Sequence, residues 1–306
     1  MTQTYIGVDI SKDWLDIHDP RHGDRRLPNR AGEIGGWIAE LRSGDSLVFE
    51  ATSRYDSPLC TAARGAGVPF ARINPLHGWH FARSLNLPKT DRVDARMLAR
   101  FGAERHPEPD PPADPARRDL AALSQRRDQL KRMETQEKNR LAEAALPVVR
   151  RDLRASLKAL AARIGRIEAA IRAHLAAHPA LAGQARLLRS IPGIGPVTAV
   201  ELLAHLPQLG QAGRRAIASL GGLAPRARES GKYRGQRHLG PGRRHVRRCL
   251  YMAALAALRH PHLFGGAAER LRERAKPGKV ILIAIARKIL TIANAILRSG
   301  QPFRTA

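Results

Sequence analysis

Residues 107–115, PEPDPPADP, hold five prolines in nine positions. Neither a helix nor a central strand survives that density, because each proline removes a backbone donor and fixes φ. The segment reads as a linker, and it divides the 306-residue chain into parts of different pattern. Before it, TYIGVDIS (4–11), WLDIHDP (14–20), SLVFEAT (46–52) and PFARINP (69–75) have the short apolar or alternating form of strands. EIGGWIAELR (33–42), SPLCTAARGAG (57–67) and TDRVDARMLARFGAER (90–105) have helical spacing. Strands alternating with helices predict an α/β domain with a mixed sheet over residues 1–106.

After the prolines the pattern becomes helical. Leu153, Leu157, Leu160, Ile164, Ile167, Ile171 and Leu175 follow at steps of 4, 3, 4, 3, 4 and 4, close to a heptad seam. Residues 116–178 therefore predict two long helices in an antiparallel hairpin broken near Pro147; pairing with another subunit fits the seam equally. Linker and coiled-coil helices together span 107–180. A third region, 181–306, is mainly α-helical with glycine-rich interruptions. KVILIAIARKILTIANAIL (279–297) predicts a core helix rather than a membrane span, because Arg287 and Lys288 fall mid-segment. The N-terminal MTQTYIGVDI lacks a basic region followed by an apolar stretch, so no signal peptide is expected.

Lysine and arginine total 53 against 27 acids, a formal net charge of +26. A field of this size attracts polyanions, nucleic acid foremost and an acidic membrane surface second. Cys60 and Cys249 stand far apart without CxxC spacing, as reduced cytosolic thiols do, and no zinc site is expected.

SIPGIGPVTAVELLAHLP (190–207) places Gly193 and Gly195 between two prolines and ahead of an apolar helix. With QARLLRS (184–190) as the preceding helix, this is a helix–hairpin–helix-like element. Its glycines leave the backbone bare, and the N–H groups of the following helix start can meet a phosphate oxygen without reading a base. An ordinary helical corner is the competing reading.

Asp9 and Glu50 end predicted strands, and Asp91 and Asp94 lie three apart on one helix face. Strand ends and helix starts of an α/β sheet converge on a crevice. Two carboxylates about 4 Å apart repel by about 4 kcal/mol at an effective dielectric of ~20. A cluster of four needs a positive filler, and Mg²⁺ prefers oxygen ligands. Two such ions can clamp the attacking and leaving oxygens of a phosphodiester.

YIGVDISKDWLDI, VFEATSRYDSPL, INPLHGWHFARSLNLPKTDRVDARMLARF, LRSIPGIGPVTAVELLA, LGGLAPRARESGKYRG and ARKILTIANAIL follow one another in that order. Together they resemble the transposases of the insertion sequence 110 family, bridge-RNA-guided recombinases with a DEDD quartet, over nearly the whole chain. The resemblance implies a RuvC-like, RNase H-like N-terminal domain, a coiled-coil connector and a C-terminal transposase domain. It places the quartet on Asp9, Glu50, Asp91 and Asp94, binding Mg²⁺ or Mn²⁺ in its place, and a nucleophilic serine on Ser230 in RESG. Arg226, Arg228, Lys232 and Arg234 then flank the serine as phosphate contacts. After them QRHLGPGRRHVRRCLYMAAL departs from the family's usual lysine–glycine–asparagine-like run, while Arg243, Arg244, Arg247 and Arg248 still form a basic cluster. The resemblance further implies target and donor DNA, a structured noncoding guide RNA, homodimers assembling to tetramers, and a cytoplasmic, nucleoid-associated bacterial protein with no membrane partner.

Two other readings make different predictions. A RuvC-like, structure-specific endonuclease using metal-activated water would cleave DNA without Ser230. A noncatalytic nucleic-acid-binding protein would bind in a salt-sensitive way and cleave nothing.

Overall fold

The computed structural model describes residues 3–51, 55–85, 91–110, 114–226, 229–230, 233–235, 237–259 and 261–304, with positions 91–93, 229, 230, 234 and 261–263 given by backbone alone. Two compact units meet in sequence at Ala113 and Asp114.

The N-terminal unit is built on a five-stranded sheet. Its strands are β1 (Thr4–Ile10), β2 (Trp14–Asp19), β3 (Gly23–Pro28), β4 (Asp45–Glu50) and β5 (Phe70–Ile73), in the order β3-β2-β1-β4-β5. β1 is the pivot: it pairs antiparallel with β2 and parallel with β4. β2 and β3 pair antiparallel, and β4 and β5 parallel. This mixed sheet fits an RNase H-like domain. Alternation along β1 and β4 sends Ile6, Val8, Leu47 and Phe49 into one core with α1 (Ala31–Ala39) and α2 (Ser57–Gly65). Tyr5 and Val48 enter a second core with α3 (Pro75–Ser84) and α4 (Asp91–Arg105). Fully burying one such aliphatic or aromatic side chain stabilises by about 1.5–3 kcal/mol, so both faces are anchored.

β3 and α3 are additions to the sequence expectation. β3, GDRRLP, is exposed except around Leu27, as an edge strand is. Pro75 does end β5, but it also opens α3, where Asn74 Oδ1 accepts from Leu76 N at 2.9 Å. The first prolines of the predicted linker are tied down. Asp110 N donates to the Phe70 carbonyl at 2.7 Å, and Arg72 Nε donates to Asp110 Oδ2 at 2.7 Å, which covers the open edge of β5.

The second unit is helical. α5 (Pro115–Glu143) and α6 (Pro147–Ala177) pack as an antiparallel pair: His174 meets the Ala116 carbonyl, Arg127 meets Glu168, and Leu130 packs with Leu160 and Ile164. α7 (Pro179–Arg189), α8 (Pro196–His205), α9 (Arg214–Leu220), α10 (Arg244–Ala257), α11 (Pro261–Glu273) and α12 (Gly278–Ser299) surround one large core. Between α9 and α10 lie two small ribbons. β6 (Pro225–Arg226) pairs with β9 (His238–Leu239), and β7 (Glu229–Ser230) pairs with β8 (Tyr233–Arg234) inside them. α12 is long and apolar enough to cross a membrane by composition. Here Ile281, Ile285, Ile289, Leu290 and Ala293 bury its face in this core. Its buried Asn294 accepts from Gly210 N at 2.8 Å and donates to the Ala212 carbonyl at 3.0 Å.

Candidate active site

Parallel pairing of Val8 with Phe49 sets the next residues, Asp9 and Glu50, at neighbouring strand ends. By strand alternation both share the sheet face of Tyr5 and Val48, which α4 covers. The direction of α4 follows from where it touches β1. Gly102 lies against the Tyr5 ring, while Ala95 and Ala99 lie against Gly7. The helix therefore runs antiparallel to β1, and its first turn, carrying Asp91 and Asp94, lies toward the Asp9 end. Gly7 has no Cβ for a reason: one placed there would stand 2.0 Å from the Ala95 carbonyl oxygen. Asp9, Glu50 and Asp94 are half-buried. Glu50 lies over α3, where Gly78 leaves room for its carboxylate; a Cβ at Gly78 would sit 2.4 Å from Glu50 Oε1. Asp91 begins the helix, but its side chain falls outside the described residues.

A further acid that the sequence does not single out shares this face. Asp16 faces Asp9 across β1 and β2 and is buried. Arg26 on β3 grips both its oxygens, at 2.8 and 2.9 Å. That bidentate pair compensates the Asp16 charge at one edge of the cluster. Arg96 of α4 makes a second link to β3, donating to Asp24 at 3.1 and 2.5 Å. The Arg96 hydrogen bond, seconded by His18, holds the Asp24 carboxyl down at about 2. A depressed folded-state value adds stability above the ordinary aspartate range and loses it as pH falls from about 4 to about 2.

In the second unit, Ser230 pairs with Tyr233 at the closed end of the inner ribbon. Ser230 and Arg234 are placed by backbone alone, and Arg228 and Lys232 lie outside the described residues. Arg226 is exposed on the outer ribbon and packs over Gly240. The four arginines of 243–248 divide. Arg243 closes the ribbon base through its N–H to the Leu220 carbonyl at 2.9 Å, and its guanidinium donates to Gln208 at 2.7 Å. Arg247 reaches the Gly222 and Gly240 carbonyls at 3.5 and 3.4 Å. Arg248 forms an ion pair with Asp128 of α5. Arg243 and Arg247 brace the base of the ribbons, Arg248 ties α10 to α5, and both Arg244 and Arg248 are exposed.

The two glycines between α7 and α8 also separate. Gly193 has φ 89°, and a Cβ there would lie 2.4 Å from the Ala253 carbonyl oxygen and 2.8 Å from the Ala257 Cβ. Packing against α10 therefore accounts for Gly193 without a ligand. Gly195 is exposed at the N-cap of α8, and no described residue stands within 4 Å of a Cβ there. Gly193→Ala is expected to destabilise the protein by about 2–4 kcal/mol in urea unfolding. Gly195→Ser, a good capping residue on open ground, is expected to stay within about 0.5 kcal/mol. A phosphate gripped at this helix start would be lost only in a salt-titrated DNA-binding assay of the second variant.

Comparison with known proteins agrees with this architecture. The DEDD transposase model of the IS110 group matches residues 6–147, and the model described as transposase IS116/IS110/IS902 family matches residues 185–267. The pilin gene-inverting protein of Moraxella bovis is 33% identical, over 99% of this chain and 98% of its own length. That of Moraxella lacunata has the same identity and coverage. The insertion element IS110 uncharacterized 43.6 kDa protein of Streptomyces coelicolor is 31% identical over 51% of this chain and 38% of its own. With its carboxylate-bearing sheet in the first matched region and the serine ribbon in the second, the chain belongs to the IS116/IS110/IS902 family of transposases.

Proposed function

We propose that this transposase breaks and rejoins DNA strands through a phosphoserine–DNA link at Ser230, with divalent ions held by Asp9, Glu50, Asp91 and Asp94. The observation that supports it most is the antiparallel course of α4 over β1, which turns Asp94 toward the strand ends bearing Asp9 and Glu50. An all-carboxylate donor set, half-buried at Asp9, Glu50 and Asp94, suits Mg²⁺ or Mn²⁺. When bound, the ion polarises the phosphodiester as a Lewis acid.

The serine chemistry balances without an external energy source. Ser230 Oγ bonds to phosphorus as the phosphorus–deoxyribose oxygen bond breaks. The hydroxyl proton leaves to a base, and the departing oxygen gains a proton. A second strand's hydroxyl then displaces the serine, so each diester bond is exchanged rather than hydrolysed. A hydroxyl nucleophile requires such activation. Exposed Arg226, with Arg228, Lys232 and Arg234 beside it in sequence, supplies cationic donors for the extra charge on the phosphoryl oxygens.

The substrates in this reading are the target and donor DNA of an insertion sequence. The Moraxella relatives are named for inverting a pilin gene, and inversion is likewise a breakage and rejoining of strands. A structured noncoding RNA paired to both DNAs would supply sequence choice while the protein grips backbones. The α5–α6 pair is the coiled coil through which homodimers form and assemble to tetramers, and the α7–α8 corner is the helix–hairpin–helix-like backbone contact at Gly195.

One preparation tests both halves. The chain is expressed with its native flanking DNA and purified, and the copurifying nucleic acid is sequenced. One discrete RNA encoded beside the gene is the expected outcome; heterogeneous nucleic acid alone overturns RNA guidance. The same preparation, incubated with Mg²⁺ and the flanking DNA and then denatured, is expected to show a protein–DNA adduct. Cleavage with no adduct would favour metal-activated water.

A further inference from the structure

Away from these carboxylates, α8 and α10 bring together a second set of metal-ligating side chains, and it belongs wholly to the helical unit. Glu201 and His205 stand one turn apart on α8, and His245 faces them from α10. One ligand atom from each of the three lies within 4.8 Å of the others. Glu201 is only 4% exposed. Its Oε1 accepts from Ser124 Oγ of α5 at 2.6 Å. Its Oε2 has no hydrogen-bond partner among the described residues, nor does the buried His205 Nε2 that faces it at 3.6 Å. The His205 and His245 rings stack with centroids 4.8 Å apart. Burial, ahead of its neighbours' charges, lowers the His205 pKa and favours the neutral imidazole.

Leaving a buried donor or acceptor unsatisfied costs about 1–3 kcal/mol. Here a carboxylate oxygen and an imidazole nitrogen, both orphaned, point at one another too far apart to bond and beside a second imidazole. We infer that Glu201, His205 and His245 bind a divalent ion of the zinc class, a site separate from the DEDD carboxylates. Two imidazoles and one carboxylate suit zinc, whereas Mg²⁺ prefers oxygen and water. Zinc ligands stand about 2.0–2.1 Å from the ion, so tetrahedral neighbours lie roughly 3.4 Å apart. The Glu201–His205 pair, at 3.6 Å, is close to that spacing, and His245 has to swing out of its stack on His205 to bring a ring nitrogen onto the same ion. Water fills the fourth position.

Groups around the set bear on it. Ser124 orients the Glu201 carboxylate, while Asp128 Oδ2 lies 3.9 Å from His245 Nδ1, beyond hydrogen-bond reach, and is held by Arg132. Cys249 stands one turn beyond His245, but its thiol donates to the Val246 carbonyl at 3.2 Å, and burial raises its pKa far above the usual range. It is not counted among the ligands. The ion ties the helix that follows the Gly193 turn to the helix that follows the serine ribbons. Cysteine spacing excludes the common zinc motifs, but it does not bear on a site made of one glutamate and two histidines.

The test uses the full chain, stripped by chelator and titrated with Co²⁺ as a spectroscopic probe. One equivalent is expected to give the intense visible absorption of a four-coordinate ion, which Zn²⁺ then bleaches. Zn²⁺ at about a hundred times its Kd should raise the Tm by about 5–10 °C, and Mg²⁺ should not. His245→Ala, at a half-exposed position, should keep its helical circular dichroism and lose both signals. Asp9→Ala should keep both, which separates this site from the DEDD carboxylates. Absence of the band and the thermal shift in the wild-type chain overturns the inference, as does their persistence in His245→Ala or their loss in Asp9→Ala.

Discussion

Ser230→Ala is expected to abolish the covalent protein–DNA adduct and to lower strand exchange by on the order of 10³-fold or more, the scale on which removal of a catalytic nucleophile acts. Binding to DNA should be unchanged. Ser230 contributes a backbone pair with Tyr233 to the inner ribbon, and alanine preserves that pair. The ribbon base is held elsewhere, by the Arg243 N–H and by Arg247 on the Gly222 and Gly240 carbonyls. Loss of the adduct with intact binding therefore isolates chemistry from scaffold. Asp9→Ala gives the complementary result. It should stop the adduct and any direct hydrolysis together, because both reactions draw on the same carboxylates. An Mg²⁺-dependent nick that survives Ser230→Ala at the wild-type rate would make the chain a nuclease and remove Ser230 from the mechanism. The two variants are read on one denaturing gel with one labelled DNA.

Some parts of this architecture are legible in the sequence for definite physical reasons. The strands carrying Asp9 and Glu50 are apolar on both faces, so their composition reveals burial without tertiary knowledge. The α5–α6 pair is legible because its seam repeats over several turns. β3 is not, because an exposed edge strand keeps little apolar alternation. α3 is masked by Pro75, which ends one element and starts the next. The ribbons around Ser230 are only two residues per strand, too short for any period to register. Only the family resemblance draws attention to that serine. Gln208, the Gly222 carbonyl and Asp128 stand 25 or more residues from Arg243, Arg247 and Arg248, which meet them, so the run of arginines itself shows none of these partners. Glu201 and His205 did leave a signal, a glutamate and a histidine four apart on an apolar helix. Its meaning depends on His245, 40 residues further on.

Gly7→Ala is the second substitution expected to act strongly, and it tests the geometry on which the carboxylate site depends. The added Cβ would stand 2.0 Å from the Ala95 carbonyl oxygen and 2.5 Å from Ala99 N, both backbone atoms of α4. No rotamer change relieves that overlap, so the helix must lift from β1. Overpacking of this kind costs about 1–3 kcal/mol, and the rigid neighbours place this position at the upper end. The same lift carries Asp94, next in sequence to Ala95, away from Asp9 and Glu50. Misplacing a reacting group by about 1 Å costs about 10²-fold in rate. Gly7→Ala should therefore lower both urea stability and strand exchange, though it changes no carboxylate. Ala95→Gly should not rescue it, because the obstructing atoms are backbone and remain. Gly32→Ala is the control. Near the start of α1, a Cβ there meets no described residue within 4 Å, so alanine should be neutral or slightly stabilising. If Gly7→Ala unfolded and exchanged strands like the Gly32 variant, α4 would not lie on β1 as described, and the first turn of the helix would have no reason to face Asp9.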